Sequence, residues 1–407
     1  MTGSQRCDVL VIGGGPAGTS TAVALAKRGI DVMLVDRARF PRPKPCAEYL
    51  SPEASRILDA MGALDTVENT GAARLRGVIV RAPNGSQIRG EFVSGHGYRA
   101  FRDRGLSVRR EVLDQVLLDR ARAAGVRVRE GVRATGLRID AGVVTGAELL
   151  DGGAIDARLV VGADGLRSIV TRRLGLAGTS RWPRRLALVS HYENVAGIED
   201  IAEMHVERDG FVGIGDVGHG LTTVALVVPA SRACDLSVDR AAFLDAWLRG
   251  HPHLARRFAQ ARRVSPVRAT GPFGSQVKRA WAPGALVVGD AADFFDPFTG
   301  EGIFAALHGG ELAARAVEDA LSAPDEPARR RALASYEVAR RSAFGGKWLV
   351  ERAIAVVVGA PWLINRAADA LSRRRDLADL LIGVTGDFVP PREIVNARYV
   401  LSAFGIL

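Results

Sequence analysis

Glycines at positions 13, 15 and 18, entered from the apolar run 9–12 and followed by a second apolar run that closes on Asp36, form the first chemical pattern in the chain. A Gly-x-Gly-x-x-Gly turn between a strand and a helix, with an acid ending the next strand, is the arrangement that holds a dinucleotide. Gly13 permits the tight turn, and Gly15 lets backbone N–H groups approach a pyrophosphate at the helix N-terminus. Gly18 lets helix and strand pack closely, Pro16 and Ala17 open the helix, and Arg37 follows the acid. The Asp36 carboxylate is placed to take both ribose hydroxyls of an adenosine. FAD and NAD(P) both remain open at this point.

Two more strands deliver acids at their ends. The run 159–168 closes on Asp164-Gly165, which puts a carboxylate and a flexible backbone at a sheet edge, suited to a ribose or a phosphate. The run 285–303 delivers Gly289-Asp290, then Asp296-Pro297, then Gly300-Glu301-Gly302-Ile303, a helix start whose free N–H groups suit a partly anionic acceptor. Candidate reactive groups are fewer. Cys46 sits in a proline-rich loop and Asp216 at the end of a strand, and these are the two catalytic candidates. His191, His205 and His219 share the same sheet as Asp216, with structural roles expected for each.

The elements that must position these groups read in order. Four prolines in 39–52 forbid a regular element, so an ordered loop returns over the carboxyl end of the sheet and enters a helix at 53–61. Residues 75–93, with Asn84-Gly85 between apolar runs, read as a β-hairpin. A helix follows with Leu113, Val116, Leu117 and Ala121 on one face, then a strand at 126–128 and an antiparallel meander over 132–157. Strand-like runs at 186–192, 203–207, 211–215 and 221–228 predict a second sheet, followed by a helix at 239–248 and a basic segment at 254–263. The last hundred residues read as helical. The expected class is α/β: a Rossmann-type FAD-binding domain from 1–74, 97–180 and 270–340, an inserted antiparallel β-sheet substrate domain from 75–96 and 181–269, and a helical C-terminal region over 341–407.

Composition narrows the partners. The net charge is +10 over 407 residues, yet only Lys27, Lys44, Lys278 and Lys347 are lysines, and the arginines are spread without a run of five or with interleaved aromatics. No nucleic-acid partner is expected. Three cysteines, Cys7, Cys46 and Cys234, form no CxxC and no disulfide framework, and His251-Pro-His253 lacks partners at metal spacing, so no metal is expected. With no leader pattern and no apolar stretch of spanning length, a cytoplasmic protein is expected. The apolar run 353–364 contains Pro361 and is read as core in preference to a greasy tunnel or a site of peripheral membrane contact.

Phe40-Pro41-Arg42-Pro43-Lys44-Pro45-Cys46 with Leu50-Ser51-Pro52 resembles the corresponding loop of the geranylgeranyl reductase family, within the FAD enzymes typified by para-hydroxybenzoate hydroxylase. The resemblance covers most of the chain to about residue 340. It implies that Arg110 lies near the FAD pyrophosphate, that Asp290 binds the ribitol chain and that the backbone around 300–303 faces the flavin pyrimidine edge. Lys44, Cys46, Asp164, Gly289 and Pro297 complete the implied cofactor set. Asp164-Gly165-x-x-Ser168 resembles a flavin-hydroxylase motif that serves both FAD and NADPH, but Thr171 stands where the motif has Arg. The implied reductant is NADPH or NADH, with a separate flavin reductase as the alternative.

This resemblance implies three outcomes for reduced flavin: hydride delivery to a double bond, oxygen transfer to substrate, or halide oxidation. No Trp-x-Trp motif supports the last. The reductases' tunnel-lining Tyr-x-Trp-x-Phe-Pro stretch is replaced by Phe211-Val-Gly213-Ile-Gly215-Asp216, which leaves room for a broader, more polar substrate. The leading expectation is a monooxygenase hydroxylating an apolar aromatic or polyketide-like molecule of secondary metabolism. A reductase or dehydrogenase acting on a prenyl or polyene substrate is the alternative.

Overall fold

The computed structural model describes residues 5–179, 182 and 184–406. The chain begins with β1 (Gln5–Ile12), α1 (Pro16–Ala26) and β2 (Val32–Asp36). α2 (Pro52–Met61) is bounded as its sequence dictates: the Ser51 side chain accepts from the Ala54 N–H, Pro52 occupies the first turn, and Gly62 at φ +77° ends it. Next come β3 (Gly77–Arg81), β4 (Gln87–Glu91), α3 (Arg110–Ala123) and β5 (Arg127–Glu130). The meander is β6 (Ala134–Asp140), β7 (Val143–Leu149) and β8 (Ala154–Gly162). The second sheet is built mainly from β9 (Arg185–Glu193), β10 (Ala202–Glu207), β11 (Gly210–Asp216) and β12 (Leu221–Pro229). After α4 (Arg240–Gly250) come β13 (Ala285–Val287), α5 (Gly302–Ser322), α6 (Glu326–Val358), α7 (Pro361–Leu371) and α8 (Arg375–Thr385).

Among the described residues these strands form most of two eight-stranded sheets. In the first, β13, β8, β1, β2 and β5 lie side by side and parallel, with β7 added antiparallel to β8 and β6 antiparallel to β7. β1 and β2 carry near-continuous Val, Leu and Ile because both faces of a parallel sheet are covered, here by α1 on one side. In the second sheet the order β9, β12, β11, β10, β3, β4 is antiparallel except where β3 meets β10. The hairpin at 77–91 therefore extends the second sheet, although it lies more than ninety residues earlier in the chain.

One expected boundary does not exist as a break. Residues 340 and 341 fall inside α6, a single helix of 33 residues capped by Asp325, because the Ala- and Arg-rich run from Pro327 to Gly359 holds no further proline and continues through its one glycine pair, Gly345-Gly346. The run expected to be core is split at this end. Ala355, Val358 and Ile364 are buried, whereas Val356 and Trp362 are exposed, and α7 leaves α6 at 107° after Gly359-Ala360. Among the described residues no single helix is long and apolar enough to cross a membrane.

Candidate cofactor and substrate site

At the end of β1 the backbone must pass very close to the exit of β8. A side chain on Gly13, whose φ is +111°, would stand 2.4 Å from the Ala163 carbonyl oxygen, and one on Gly18 would stand 1.9 Å from the Gly13 oxygen. Gly15 precedes α1 and opens on space instead. The first atoms a side chain there would approach are Arg42 Nη2 at 3.7 Å and Arg110 Nη2 at 4.0 Å. Two guanidiniums and the unpaired N–H groups of a helix start thus converge on one point, a cradle for a pyrophosphate. Beside it the Gly14 N–H donates to Asp36 Oδ2 and the Ala38 N–H to Oδ1, both at 2.8 Å, which orients the carboxylate.

Arg110 is held from below. Its Nε and Nη2 donate to Asp114 Oδ1 and Oδ2, each at 2.9 Å, with both side chains essentially buried. Burial disfavours the Arg110 charge, but the Asp114 carboxylate more than reverses that and keeps the guanidinium protonated. Arg42 Nη1 lies 3.1 Å from the same carboxylate. Arg42 was not among the expected cofactor residues, and the signal for it was its place in the loop around Lys44.

The second half of the cradle is formed by Asp164, Asp290 and the start of α5. Asp164 Oδ2 accepts from the Ile169 N–H at 2.6 Å, while Oδ1 is buried without a hydrogen-bond partner. Burial pushes this carboxyl's pKa up, against the opposing bonds from Ser168 and Ile169. Asp290 Oδ2 lies 3.5 Å from Lys44 Nζ. Gly300, at φ +72°, would drive a side chain to 2.9 Å from Tyr49 Cδ1. Glu301, between the two glycines, is buried and meets Lys347 Nζ at 3.3 Å, and Lys347 also contacts the fully buried Asp387 carboxylate. Burial raises the Glu301 pKa, with Lys347 opposing. The C-terminal helices are thereby fastened to the loop at the start of α5, a link that no local pattern around Lys347 announces.

The expected residues Gly13, Gly15, Pro16, Ala17, Asp36, Arg37, Lys44, Cys46, Arg110, Asp164, Asp290, Pro297, Gly300, Gly302 and Ile303 all border one cavity of about 780 Å³. Gly18 and Gly289 do not border it. Gly289 instead lets Ala17 pack close, since a side chain there would stand 2.8 Å from Ala17 Cβ. The residues fit FAD on grounds internal to the structure: an anion cradle at Gly15, an oriented acid at Asp36 and an orphaned buried oxygen on Asp164.

Beyond the cradle the cavity continues over one face of the second sheet. Strand register arranges that face in rows: Phe211, Val227 and Ala187, then Gly213, Ala225 and Val189, then Gly215, Thr223 and His191. Phe273, Phe294, Phe298, Met204 and Val78 close the walls. The opposite face of the same strands, with Val212, Ile214 and Leu226, packs on Leu244, Trp247 and Leu248 of α4. The sheet thus has one side for its own core and one for a ligand. Of the three positions expected to leave room, only Gly215 does so: a side chain there would meet nothing within 4 Å, whereas one on Gly213 would stand 3.2 Å from Met204 Sδ.

Asp216 is not at the cavity. It falls on the α4 side of β11, where its Oδ1 accepts from the Gly218 N–H at 2.8 Å and shapes the turn into β12. A one-residue shift along a strand reverses the face, and that parity removes Asp216 from the catalytic candidates. His205 also points away, to Glu203 and His253, and His219 reaches the Thr70 carbonyl oxygen at 2.6 Å. Cys46 does border the cavity, accepting from the Glu48 N–H at 3.3 Å and reached by the Arg110 guanidinium. Thr171 is buried and its hydroxyl donates to the Ala291 carbonyl oxygen at 2.7 Å, joining the Asp164 and Asp290 turns, while Arg167 and Arg172 face the cavity. Glu48 was missed by sequence reasoning altogether. It is buried, Arg110 N–H donates to its Oε1 at 2.9 Å, and its Oε2 lies 2.8 Å from His191 Nε2.

A family model described as FAD binding domain matches residues 6–346. The digeranylgeranylglycerophospholipid reductase of Methanosarcina mazei is 31% identical over 79% of this chain and 77% of its own length. The menaquinone reductase of Mycobacterium tuberculosis is 29% identical over 78% of each. The structure of the flavin-dependent brominase Bmp2 superposes with a TM-score of 0.82 over 97% of this chain and 98% of that one, at 21% identity, which shows the same fold.

Proposed function

The chain belongs to the FAD binding domain family and is an FAD-dependent oxidoreductase, and from that premise we propose that it saturates a carbon–carbon double bond in an apolar, prenyl-bearing substrate. The observation that carries this reading is the cavity itself, which runs without interruption from the anion cradle at Gly15 into a chamber walled by Phe211, Phe273, Phe298 and Val227. Similarity over more than three-quarters of the chain to proteins named as reductases supports it. Bound FAD supplies two-electron chemistry, either hydride to a double bond or, with O₂, transfer of an oxygen atom.

The chain's own residues bind, orient and exclude water. Arg42, Arg110 and the α1 start would hold the pyrophosphate, Asp36 the adenosine ribose, and Asp164 and Asp290 the remaining hydroxyls. The apolar rows keep the reacting double bond dry. Saturation also requires a proton at the second carbon, and we assign the Cys46 Sγ, at the cavity wall, to hold it. NADPH or NADH, or a separate flavin reductase, supplies the electrons.

A second reading, hydroxylation of a broader aromatic molecule, is favoured by the open space at Gly215. One experiment separates the two. FAD-loaded enzyme is reduced without oxygen and given geranylgeranyl-bearing substrates, then the assay is repeated in air with NADPH. A product that gains two hydrogen atoms without oxygen is expected. A product that gains an oxygen atom, formed only in air, would overturn the reductase reading in favour of hydroxylation.

A further inference from the structure

The charges behind the start of α5 do not balance. Glu301, the N-cap of α5, stands between Gly300 and Gly302, which border the cavity, while its own side chain turns away from it. There the carboxylate meets Lys347 Nζ at 3.3 Å, and the same ammonium contacts Asp387, whose oxygens have no other donor among the described residues. Asp296, on the loop before α5, pairs with Arg185 Nη1 at 2.6 Å. A further carboxyl, Glu351, sits one turn along α6 from Lys347 and makes no ion pair or hydrogen bond among the described residues.

Four carboxyls, Asp296, Glu301, Glu351 and Asp387, thus face two cations, Arg185 and Lys347. Arg352 is exposed, and its guanidinium stands over the Phe295 ring at 5.7 Å and 3.5 Å from Gln276 Oε1. The other neighbours add no positive charge to the cluster. Lys347 Nζ rests 4.6 Å from the centre of the Phe304 ring, and His308 is turned to Glu311 Oε2 at 3.0 Å. Tyr49, which packs on Gly300, stays neutral because burial and the Glu301 charge push its hydroxyl pKa well up. Surplus negative charge away from water is costly, so the carboxyls least matched by cations retain a proton. Burial and the Glu301 and Asp296 charges hold the Glu351 carboxyl well above the usual range, against Lys347 and Arg352, and burial raises Glu301 as well.

We propose that Glu301 and Glu351 share one proton at neutral pH beside the Lys347 ammonium, and that this proton sets the charge which the start of α5 presents to the cofactor. Both are positioning residues: neither side chain borders the cavity, and each acts through the backbone from Gly300 to Gly302. With the proton in place, the free N–H groups of the helix start keep their positive character and favour an anionic acceptor. Without it, a buried negative charge opposes electron uptake at the same place. The inference rests on FAD occupying the cavity, and it is independent of whether a double bond is reduced or a ring hydroxylated.

The test uses the full-length protein, with and without FAD. Infrared difference spectra between Glu351→Gln and wild type at neutral pH should show the loss of the C=O stretch of a protonated carboxylic acid, in both forms. The midpoint potential of bound FAD, titrated with dithionite, should fall in wild type as pH rises through the carboxyl's titration, by more than it does in Glu351→Gln. A carboxyl whose pKa is raised by folding stabilises below the ordinary carboxyl range and loses that contribution as pH rises through the folded value. Wild-type Tm should therefore decline over the same window, and Glu351→Gln should remove the decline. If Glu351→Gln does not fold, Glu301→Gln carries the same three readings. A carboxylic acid band that Glu351→Gln leaves unchanged would overturn the proposal, and so would a lost band with a wild-type pH dependence of the potential. Wild type that retains no FAD would overturn it together with the reading of the cavity, and flavin absorbance reports that failure before any variant is made.

Discussion

The cradle around Gly15 and the chamber over the second sheet share one cavity but are built in opposite ways. The cradle is made of backbone: a helix start, glycines that let chains approach within contact distance, and acids oriented by N–H groups. The chamber is made of side chains, and of side chains left out, drawn from strands at 77–81, 185–193, 202–207, 210–216 and 221–229. Backbone geometry has few solutions, so the cradle tolerates little change. Side-chain walls can be re-lined, so the chamber is where a change of substrate costs the fold least.

That contrast can be broken at its rigid end first. Gly18→Val places atoms inside the Gly13 carbonyl, and we expect a loss of ~4 kcal/mol or more, with protein that retains no FAD. Flavin absorbance per protein and a denaturant titration check it, and a stable, yellow variant would contradict the backbone account.

Lys347→Met tests whether the C-terminal helices belong to the cradle. It strips the counter-ion from buried Glu301 and Asp387, so a loss of about 3–5 kcal/mol is expected, together with weaker FAD retention. Equal loss of stability with FAD affinity intact would place the Lys347 link outside cofactor binding.

Gly215→Ala should sharpen the comparison from the permissive end. Open space and an ordinary strand backbone predict a stability change within about 0.5 kcal/mol and unaltered FAD content, while the range of accepted substrates narrows. Competition assays with ligands of graded ring size read this directly.

The smallest effect concerns the outer face of the second sheet. Partial burial, helped by Arg81, His205, His251 and Arg257, lowers the His253 pKa from 6.5 to about 4, although Glu207 stands 3.7 Å away. The unfolded chain therefore binds this proton more readily, so the contribution is present above pH 6.5 and is lost as pH falls toward 4. His253→Gln should flatten the fall in Tm across that window and leave the cavity's ligand binding unchanged. The effect is small because the ring keeps about a fifth of its surface in solvent.

Legibility followed the same divide. The β1–α1–β2 unit, the hairpin around Asn84-Gly85 and the four strands of the second sheet were readable because period-2 alternation and turn residues are local signals. Asp216 was misplaced because a residue at a strand end was judged by type, while its face depends on parity relative to Gly215. Glu48 and Lys347 were passed over because each acts on a partner more than forty residues away, His191 and Glu301. The boundary at 340 failed since a family resemblance that fades along the chain does not mark the end of a helix.

What the sequence by itself determined is the dinucleotide cradle, because Gly13, Gly15, Gly18 and Asp36 lie within one βαβ unit whose chain length and glycine sterics allow little else. What only the tertiary structure decided is the polar end of the chamber. Gly215, Thr223 and His191 become one row through strand register, and Glu48 reaches that row from the loop between β2 and α2. Register is settled by the burial of whole strand faces, a property of the assembled sheet that no single stretch of sequence contains.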